Sequence, residues 1–405
     1  VTLGTYTTIT GDTVNTIAQG VGNMINTGFN IHGYRDTVLT DEVTITAKAG
    51  AGVAANGWAI TTPIIGTATT TITAFTLGAN DPYVVMWYHI SEYFRMNPKG
   101  VLFVGIYTVP GTLNFSEIAL MNVYADGKIR QIGVYQTGTA FATSQVQSLQ
   151  AAAIIEEQAN RPLSIIYGVD ISASALSALP DLSILASPKV SVVVGQDGAA
   201  KGAQLYTYTG KSITTLGATL GVISATKVSE NIAWVDKHNL ANVELDTAAF
   251  ANGVQYKGTA VGLLEQLHSF GYIFLRKFNE RAGTFFNFST TATISTSDYF
   301  TIENNRTIDK ALRSLRTVYI PQLNSPLSVN INGTLRIDTV AYLRMIGNGA
   351  LQAMLNNDEV SAFEVAIDPN QNVLSTSKLV VTVRIIPVGV AKTIEVNLSY
   401  TIKLQ

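Results

Sequence analysis

The sequence predicts an α/β protein, α+β overall, with an open α/β core and extended β arms at both ends. Apolar runs of strand length alternate with helical patterns between residues 101 and 194, which is typical of βαβ units covered by helices on both faces. Residues 1–80 are rich in Thr, Ile, Val, Ala and Gly, a composition that favours strands and turns. Residues 394–404 alternate between apolar and polar side chains, so one face of this strand is buried and the other is solvated.

The first eighty residues show little helical periodicity. Thr2–Thr10 is β-prone, and Val43–Ala47 and Thr67–Thr76 have the composition of further strands. We therefore predict an extended N-terminal arm over residues 1–20 and a small β-rich region over residues 21–80.

Residues 81–300 are predicted to form the α/β core. Its buried strands are expected at Val101–Tyr107, Ile129–Tyr135, Leu163–Val169 and Val190–Val194. The spacing of apolar residues predicts helices over Tyr83–Met96, Phe115–Tyr124 and Ser144–Asn160, and mainly helical structure from Ser212 to Leu240. Shorter strands are expected at Tyr272–Lys277, Phe286–Thr291 and Asp298–Ile302.

Residues 301–390 are predicted to form a C-terminal domain, followed by an arm strand over residues 391–405. Thr307 is expected to cap a helix that ends before Pro321. The remaining elements are a helix over Asp338–Asn356 and strands over Val360–Ile367 and Leu379–Pro387. The regular final strand is either the edge of a sheet or a strand lent to a neighbouring molecule.

The chain carries little charge for its length. Its 405 residues include 26 Lys or Arg and 28 Asp or Glu, a net charge of −2. Charged residues make up 13%, about half the roughly 25% of ordinary soluble proteins. The absence of a basic field disfavours nucleic acid as a partner. Because the cores of interfaces are depleted of charge, the composition favours an obligate homo-oligomer, with a robust monomer as the alternative.

The residue types present exclude several kinds of site. The sequence has no cysteine, which excludes disulfides, thiolate zinc sites and cysteine nucleophiles. No apolar run approaches the roughly 18 residues of a membrane span, and Val1–Gly4 lacks the basic start and apolar core of a signal peptide. We therefore expect a soluble protein made inside the cell, without membrane insertion. The histidines are too scattered for a metal site: His32, His89, His238 and His268.

Two glycine-containing stretches match nucleotide-binding motifs only in part. In Gly195–Gly202, Ala200 and Gly202 stand where a P-loop needs Gly before its lysine and Ser or Thr after it. Gly217–Gly221 lacks the third glycine of a dinucleotide fingerprint. We therefore predict no catalytic residue and no cofactor. The remaining candidates are expected to be ordinary polar residues on solvated helices: Glu156, Glu157, His238 and His268.

Four stretches of the second half of the chain occur in a characteristic order. Leu220–Trp234 comes first, Asn305–Arg313 opens a helix, Asp358–Ser375 joins a strand to a turn, and Val381–Val396 comes last. In this order they resemble the sheath proteins of contractile phage tails and of related contractile injection systems. The resemblance is carried by the order and spacing of the pieces across the C-terminal region.

The resemblance implies a structural subunit of a contractile tail sheath. Such subunits polymerise helically around an inner tail tube and contract to drive the tube through the host envelope. The implied partners are copies of the same chain, the tail tube protein, and the baseplate and tail terminator proteins, with no cofactor and no nucleic acid. The implied location is the tail of a virion that is assembled in the host cytoplasm.

The resemblance also implies which residues make contacts between subunits. N- and C-terminal arms would add strands to the sheets of neighbours, and the C-terminal domain would line the lumen next to the tube. The helix over Asp338–Asn356, or its neighbour over Thr307–Tyr319, would face the tube. On the second of these helices a basic stripe of Lys310, Arg313 and Arg316 is the candidate tube-facing surface, with a solvated or intersubunit face as the alternative. The candidate arm contacts are Thr2, Leu3, Tyr6, Ile9, Ile394, Val396, Leu398, Tyr400 and Ile402.

Two other functions stay open at this point. The first is another virion building block, such as a capsid or tube protein. The second and weaker one is an α/β enzyme with an unrecognised site, which only the open-sheet core favours.

Overall fold

The computed structural model describes residues 3, 5–7, 9, 11–29, 34–40, 42–46, 81–108, 113–136 and 138–392. Contacts within the chain divide it into two compact units. The smaller unit contains Val1–Trp87 and Gln204–Gly210, and the larger contains Tyr88–Ala203 and Lys211–Gln405.

The smaller unit contains a helix and a β-hairpin. Helix α1 (Val14–Thr27) begins at Thr13, whose hydroxyl accepts a 3.3 Å hydrogen bond from the backbone N–H of Thr16. Strands β1 (Arg35–Leu39) and β2 (Glu42–Thr46) pair antiparallel. The helix and β1 lie close together at Gly22, where a Cβ would come within 2.5 Å of both Asp36 and Val38.

Helix α1 shows that the prediction of little helix in the first eighty residues is wrong. The extended arm expected over residues 1–20 stops by Val14 at the latest, because Thr13 caps a helix and Ala18, Gly22 and Ile25 form its buried stripe. The strand expected at Val43–Ala47 is confirmed by β2. The strand expected at Thr67–Thr76 lies outside the described residues.

The elements from Asp81 onward alternate between helices and strands. In chain order they are α2 (Asp81–Met96), α3 (Glu117–Tyr124), β3 (Gln131–Tyr135), α4 (Thr143–Gln158), β4 (Ser164–Gly168), β5 (Val190–Val193), β6 (Gly195–Asp197), α5 (Lys201–Thr209), α6 (Leu216–Ala225), β7 (Ala248–Phe250), α7 (Val261–Ser269), β8 (Tyr272–Ile273), β9 (Leu275–Phe278), β10 (Arg281–Phe286), α8 (Ile302–Tyr319), α9 (Ile337–Asn356), β11 (Ala362–Ala366), α10 (Val373–Thr376) and β12 (Thr382–Ile386).

A parallel sheet with the strand order β3-β4-β5-β8 forms the centre of the larger unit. Every residue of β4 is buried. Ile165 and Tyr167 pack with Leu149 of α4 on one face. On the opposite face Ile166 packs with Val222 of α6. The prediction of an α/β core with helices on both faces of the sheet is confirmed.

The strand predicted at Val101–Tyr107 is wrong. Residues 101–108 belong to no helix or strand, and Val101, Val104 and Ile106 are exposed. The fourth strand of the sheet is instead β8, which pairs with β5. An apolar run alone cannot distinguish a buried strand from an exposed segment, because the difference is whether a sheet edge is available to pair with it.

Two further predictions fail between residues 212 and 302. The helix expected from Ser212 to Leu240 is only α6, which ends where the guanidinium of Arg306 binds the carbonyls of Thr226 and Lys227 at 3.0 and 3.1 Å. The strands expected at Phe286–Thr291 and Asp298–Ile302 are reduced to the end of β10 and a single bridge between Thr290 and Thr301.

The C-terminal elements follow the prediction with one shift. Helix α8 begins at Ile302 because the hydroxyl of Thr301 accepts a 3.3 Å hydrogen bond from the backbone N–H of Asn304. Thr307, the expected cap, is buried inside this helix. Helix α9 and strands β11 and β12 confirm the other predicted elements before residue 391. The arm strand over residues 391–405 lies almost entirely outside the described residues, which end at Lys392.

Candidate assembly surface

A two-stranded sheet whose edges pair with no other described strand is the main feature of the C-terminal region. Strands β11 and β12 pair antiparallel, with Glu364 opposite Arg384. Among the described residues no third strand pairs with either of them. Each strand therefore presents a row of backbone N–H and C=O groups that can pair with another strand.

The two faces of this sheet differ. Phe363, Val365 and Val383 point toward a core that includes Ala311 of α8 and Leu351 of α9. The other face carries an exposed ion pair, Glu364 Oε2 to Arg384 Nη1 at 3.0 Å, which contributes little to stability because water screens it. Two strands alone make a marginal sheet, so an added strand from elsewhere would complete it.

The basic stripe of α8 is used for contacts within the chain. The Lys310 ammonium lies 2.6 Å from the Glu359 carboxylate. The Arg313 guanidinium donates a 3.2 Å hydrogen bond to the carbonyl of Pro162, and that of Arg316 donates to the side-chain oxygen of Asn160. Burial, and to a lesser extent the nearby Arg130, lowers the pKa of Arg313 to about 10. That this stripe faces a tube stays a prediction.

Helix α8 is attached to the amino ends of two sheet strands. The Lys189 ammonium, just before β5, lies 2.7 Å from the Asp309 carboxylate, and both side chains are buried. The side-chain amide of Asn305 donates a 2.9 Å hydrogen bond to the carbonyl of Pro188. The sequence analysis missed these contacts. The signal that could have found them is a lysine placed directly before a buried strand, where only a charge partner makes burial tolerable.

A buried polar network continues along the first turns of α8. The Glu303 carboxylate accepts hydrogen bonds from Ser289 at 2.6 Å and from Asn231 at 2.8 Å. Burial raises the pKa of Glu303. Because each buried polar atom of this kind needs a partner, the network fixes α8 against the loops at residues 231 and 289.

The exposed side of α9 has a different character. Tyr342 and Met345 are exposed there, and Ile337 is exposed at the start of the helix. Ile337 and Arg344, seven residues apart, share a different and also exposed side of the helix. The side of Tyr342 and Met345 is mainly apolar, with Asp338 as its charged residue, and interface cores are likewise poor in charge.

The carboxyl end of the parallel sheet, where open α/β sheets bind ligands, is filled by the chain itself. The hydroxyl of Ser212 donates to the carbonyl of Ala251 at 2.6 Å and accepts from the N–H of Ile171 at 2.9 Å. Tyr135 donates to the carbonyl of Ser212 at 3.0 Å. The side-chain oxygen of Gln196 accepts from the N–H of Ile213 at 2.9 Å. Residues 212–213 thus use the polar groups that would otherwise face a ligand.

The partial P-loop at Gly195–Gly202 binds carboxylates of the same chain. The Glu244 carboxylate accepts a 3.1 Å hydrogen bond from the N–H of Lys201, and the Asp197 carboxylate accepts a 3.4 Å bond from the N–H of Ala203. Burial, with Asp197 and Glu92 nearby, raises the pKa of Glu244. Two acidic groups therefore stand at the backbone donors that a phosphate would need.

Gly217–Gly221 lies within α6, as predicted, and has a packing role. A Cβ at Gly217 would lie 2.0 Å from the carbonyl oxygen of His89, and one at Gly221 would lie 2.6 Å from that of Tyr93. The two glycines therefore let α6 and α2 approach at backbone contact distance, as small residues four apart do in other helix pairs.

Of the four polar residues predicted to lie on solvated helices, Glu156 is not solvated and His238 is not on a helix. Glu156 is fully buried, with Arg161 at 2.8 Å and the side-chain amide of Asn122 as partners. Glu157 is exposed, as predicted. His238 is in a turn and not on a helix, and its ring nitrogen Nε2 lies 2.7 Å from the Glu230 carboxylate. His268 lies on α7, half-buried, with its Nδ1 3.0 Å from the Asn287 amide.

Within the described part of the chain, no three His, Asp or Glu side chains are grouped as ligands of a metal ion would be. No described helix is both long enough and apolar enough to cross a membrane.

The family of the chain follows from its match to two domain models. Residues 32–289 match the DUF2586 N-terminal domain, and residues 298–405 match the DUF2586 C-terminal domain. The chain belongs to the DUF2586 family. No curated protein matches this DUF2586 chain.

Several solved structures are similar to this DUF2586 chain. A chain of the anti-feeding prophage baseplate is similar with a TM-score of 0.52 at 12% identity, over 78% of this chain and 80% of that one. A chain of a contracted PVC sheath complex, from an extracellular contractile injection system, has a TM-score of 0.43 at 13% identity, over 64% and 68%. A sheath tail protein from Desulfitobacterium hafniense has a TM-score of 0.42 at 11% identity, over 89% and 74%. The likeness to the anti-feeding prophage baseplate chain shows a shared fold.

The candidate arm residues of the DUF2586 chain are described only in part. Tyr6 packs against α1, where a Cβ at Gly20 would touch its ring, and its hydroxyl donates a 3.1 Å hydrogen bond to Asp12. Ile9 is exposed and Leu3 is half-buried. The others lie outside the described residues: Thr2, Ile394, Val396, Leu398, Tyr400 and Ile402.

Proposed function

We propose that this DUF2586 chain is a structural subunit of a contractile tail sheath. In this role it polymerises helically around an inner tail tube and contracts to drive the tube through the host envelope. It acts by assembly and not by catalysis, within a tail that is built in the host cytoplasm. Its partners are copies of itself, the tube protein, and the baseplate and terminator proteins at the two ends.

The observation that carries this proposal is the sheet of β11 and β12, whose two edges have no partner strand in the part of the chain that the structure describes. A strand added to such an edge gains main-chain hydrogen bonds with little demand on sequence. The alternating residues 394–404 are suited to be that strand in a neighbouring copy. A contact in which one copy gives a strand and the next receives it runs head to tail, so its repetition produces a ring or, where the rotation does not close, an open helical polymer.

The shared fold supports the proposed function as a sheath subunit. The chain to which this fold is similar is part of the anti-feeding prophage baseplate, a phage-like particle. The order of motifs from Leu220 to Val396 resembles contractile sheath proteins. The fold and the motif order are independent of the open sheet edges, and all three are consistent with a sheath subunit.

We assign the tube-facing surface to α9 in preference to α8. The three cations of the basic stripe on α8 already bind Glu359, Pro162 and Asn160 within the chain. The exposed side of α9 offers Tyr342 and Met345 with few charges. In this account the basic stripe of α8 holds the subunit together, and α9 meets the tube.

Electron microscopy of the chain produced together with its tube protein tests the proposal. Wide cylinders around a narrow tube, in long and short forms, are the expected result. Closed shells, or narrow tubes formed by this chain alone, would identify it as a capsid or tube protein. Particles of neither kind at concentrations where the tube protein assembles would contradict the sheath function.

A second candidate is a subunit confined to the baseplate. The structure that matches with a TM-score of 0.52 is a baseplate structure, which favours this possibility. The same micrographs separate the two, because a baseplate subunit would form rings of fixed height and no cylinders.

A further inference from the structure

The end of helix α3 is an exposed, rigid, apolar projection. Leu120, Val123 and Tyr124 are exposed on one side of the helix, and 83% of Tyr124 is accessible. The turn that follows is fixed by backbone hydrogen bonds, including 2.8 Å from the N–H of Gly127 to the carbonyl of Asn122. We call residues 120–128 the Tyr124 tip. A rigid tip loses little conformational entropy when it binds.

The Tyr124 tip carries an exposed negative charge beside its apolar residues. The carboxylate of Asp126 follows Tyr124 by two residues and is 79% exposed. Its one ion-pair contact in the described chain is Lys128 at 3.4 Å, which is itself largely exposed. Such a pair is weak, so the carboxylate is available to a better-placed cation.

The C-terminal region contains a groove with the complementary properties. Its volume is about 380 Å³, and its lining includes Leu335, Ile337, Val340, Ala341, Pro369 and Arg344. Ile337 is 86% exposed at its rim. We call this the Arg344 groove. It is near the small end of the roughly 300–1,000 Å³ of ligand pockets, a size that suits one or two apolar side chains.

Arg344 is the unpaired cation of this groove. No hydrogen bond or ion pair joins its guanidinium to any described residue. Each of the other arginines in residues 301–392 has a partner in the described part of the chain. Those are Arg306, Arg313, Arg316, Arg336 and Arg384. A guanidinium on an apolar rim favours a carboxylate partner that brings apolar surface with it.

We propose that the Tyr124 tip of one copy binds in the Arg344 groove of a second copy, with Tyr124 against Ile337 and Val340 and Asp126 paired with Arg344. Size, apolar character and charge agree between the two surfaces. Because the tip and the groove are different parts of the chain, the contact runs head to tail, and its repetition produces a ring or an open helical polymer. The inference rests on the proposed function only in assigning that polymer to a sheath.

Disulfide trapping tests the contact directly, because the chain has no cysteine of its own. A Tyr124→Cys chain carrying a size tag is mixed with an untagged Ile337→Cys chain and oxidised mildly. We expect a mixed-size dimer in at least fivefold excess over a control mixture of Tyr124→Cys with Ile184→Cys, since Ile184 is also exposed but lies elsewhere. Equal yields in the two mixtures, or no mixed dimer at any protein concentration, would overturn the proposal.

Charge reversal tests the predicted pair. Asp126→Arg in the Tyr124→Cys chain and Arg344→Glu in the Ile337→Cys chain should each lower the mixed-dimer yield at least tenfold. A mixture of the two substituted chains should restore the yield. Lys378→Glu, an exposed cation of the same region, is the matched control and should change nothing. Failure of the combined variant to restore trapping would show that the two residues do not meet. Trapping reads the contact whether or not cylinders form, so it fails independently of the sheath function, which micrographs report.

Discussion

The Lys189 ammonium and the Asp309 carboxylate form a buried ion pair, 2.7 Å apart, that joins the start of β5 to the middle of α8. The pair is close to the places where Arg313 binds Pro162 and Asn305 binds Pro188. Pro162 and Pro188 each precede a strand of the parallel sheet by one or two residues. Helix α8 is thereby fixed to the amino end of the sheet by directional contacts, which a contracting subunit would need in order to move as one body.

Removing one partner of this pair should destabilise the chain strongly. Asp309→Ala leaves a buried ammonium without a partner, which typically costs about 3–5 kcal/mol. Denaturant unfolding measures the loss. The control is the double variant Lys189→Met with Asp309→Leu, which removes both charges and should recover most of the stability. A loss below about 1 kcal/mol in Asp309→Ala would mean that water reaches Lys189 and that the pair is not buried in solution.

The contact of α2 with α6 should not tolerate a methyl group. Gly217→Ala places a Cβ against the carbonyl of His89, and overpacking of this kind costs about 1–3 kcal/mol. Gly349→Ala is the matched control, because Gly349 lies on helix α9 with nothing within 4 Å of its Cβ position. There alanine should be neutral or stabilise by up to about 1 kcal/mol. Thermal melting of both variants decides the point, and equal melting temperatures would contradict the close packing.

The stability of the chain should fall in mild acid because of His89. This ring is buried, and neither nitrogen has a partner among the described residues. Burial lowers its pKa to about 4, against roughly 6.5 in an unfolded chain. At pH values between about 4 and about 6.5, His89 therefore binds a proton more readily in the unfolded state than in the folded state. The free energy of unfolding should therefore drop by about 3 kcal/mol as the pH falls from about 6.5 to about 4.

Substitution of His89 isolates its contribution to the pH dependence of the free energy of unfolding. His89→Phe keeps a ring against Tyr135, whose centroid is 4.9 Å away, and removes the titrating group. The variant should lose most of the dependence on pH in urea unfolding between pH 4 and 7. Some dependence should remain, since burial first, and then Lys392 and Arg276, also lower the pKa of His268 to about 4. A pH profile identical to that of the unmodified chain would show that His89 is hydrated.

The sequence predicts well those elements whose signal is local. Continuous apolar runs located β3, β4 and β5, and the spacing of Val146, Leu149 and Ala153 located α4. Such runs and stripes are visible because burial on one or both faces selects each residue separately.

What the sequence does not show depends on distant partners. Val101–Tyr107 has the composition of a buried strand, but the place beside β5 belongs to β8, which lies far along the chain. Glu156 can be buried because its carboxylate pairs with the guanidinium of Arg161 and accepts a hydrogen bond from the side-chain amide of Asn122. The role of Lys310, Arg313 and Arg316 within the chain likewise depends on residues that lie 49 or more positions away. The sequence leaves α8 and α9 as alternatives for the tube-facing helix, because only the structure shows that α8 uses the cations of its basic stripe within the chain.

If α9 faces the tube, acidic substitutions on its exposed side should prevent co-assembly without unfolding the chain. Tyr342→Glu with Met345→Glu adds charge only to exposed positions, so the melting temperature should stay within a few degrees of the original. Co-purification with the tube protein should be lost. Arg313→Glu should do the reverse, lowering stability through its contact with Pro162. Unchanged tube binding by the α9 variant, or lost tube binding by a stable Arg313→Glu chain, would move the tube contact to α8.

The central claim is that copies are joined by strands added to the open edges of the β11–β12 sheet. Electron microscopy of a chain that ends at Pro387, beside the full-length chain, tests it most directly. The shorter chain keeps every strand of the parallel sheet and both strands of the open sheet, so it should fold with a similar melting temperature. It lacks the residues proposed to pair with the neighbour, where each ladder hydrogen bond contributes about 0.5–1.5 kcal/mol. We expect the shorter chain to fold and to form no cylinders; cylinders of full length from it would contradict the joining of copies by added strands.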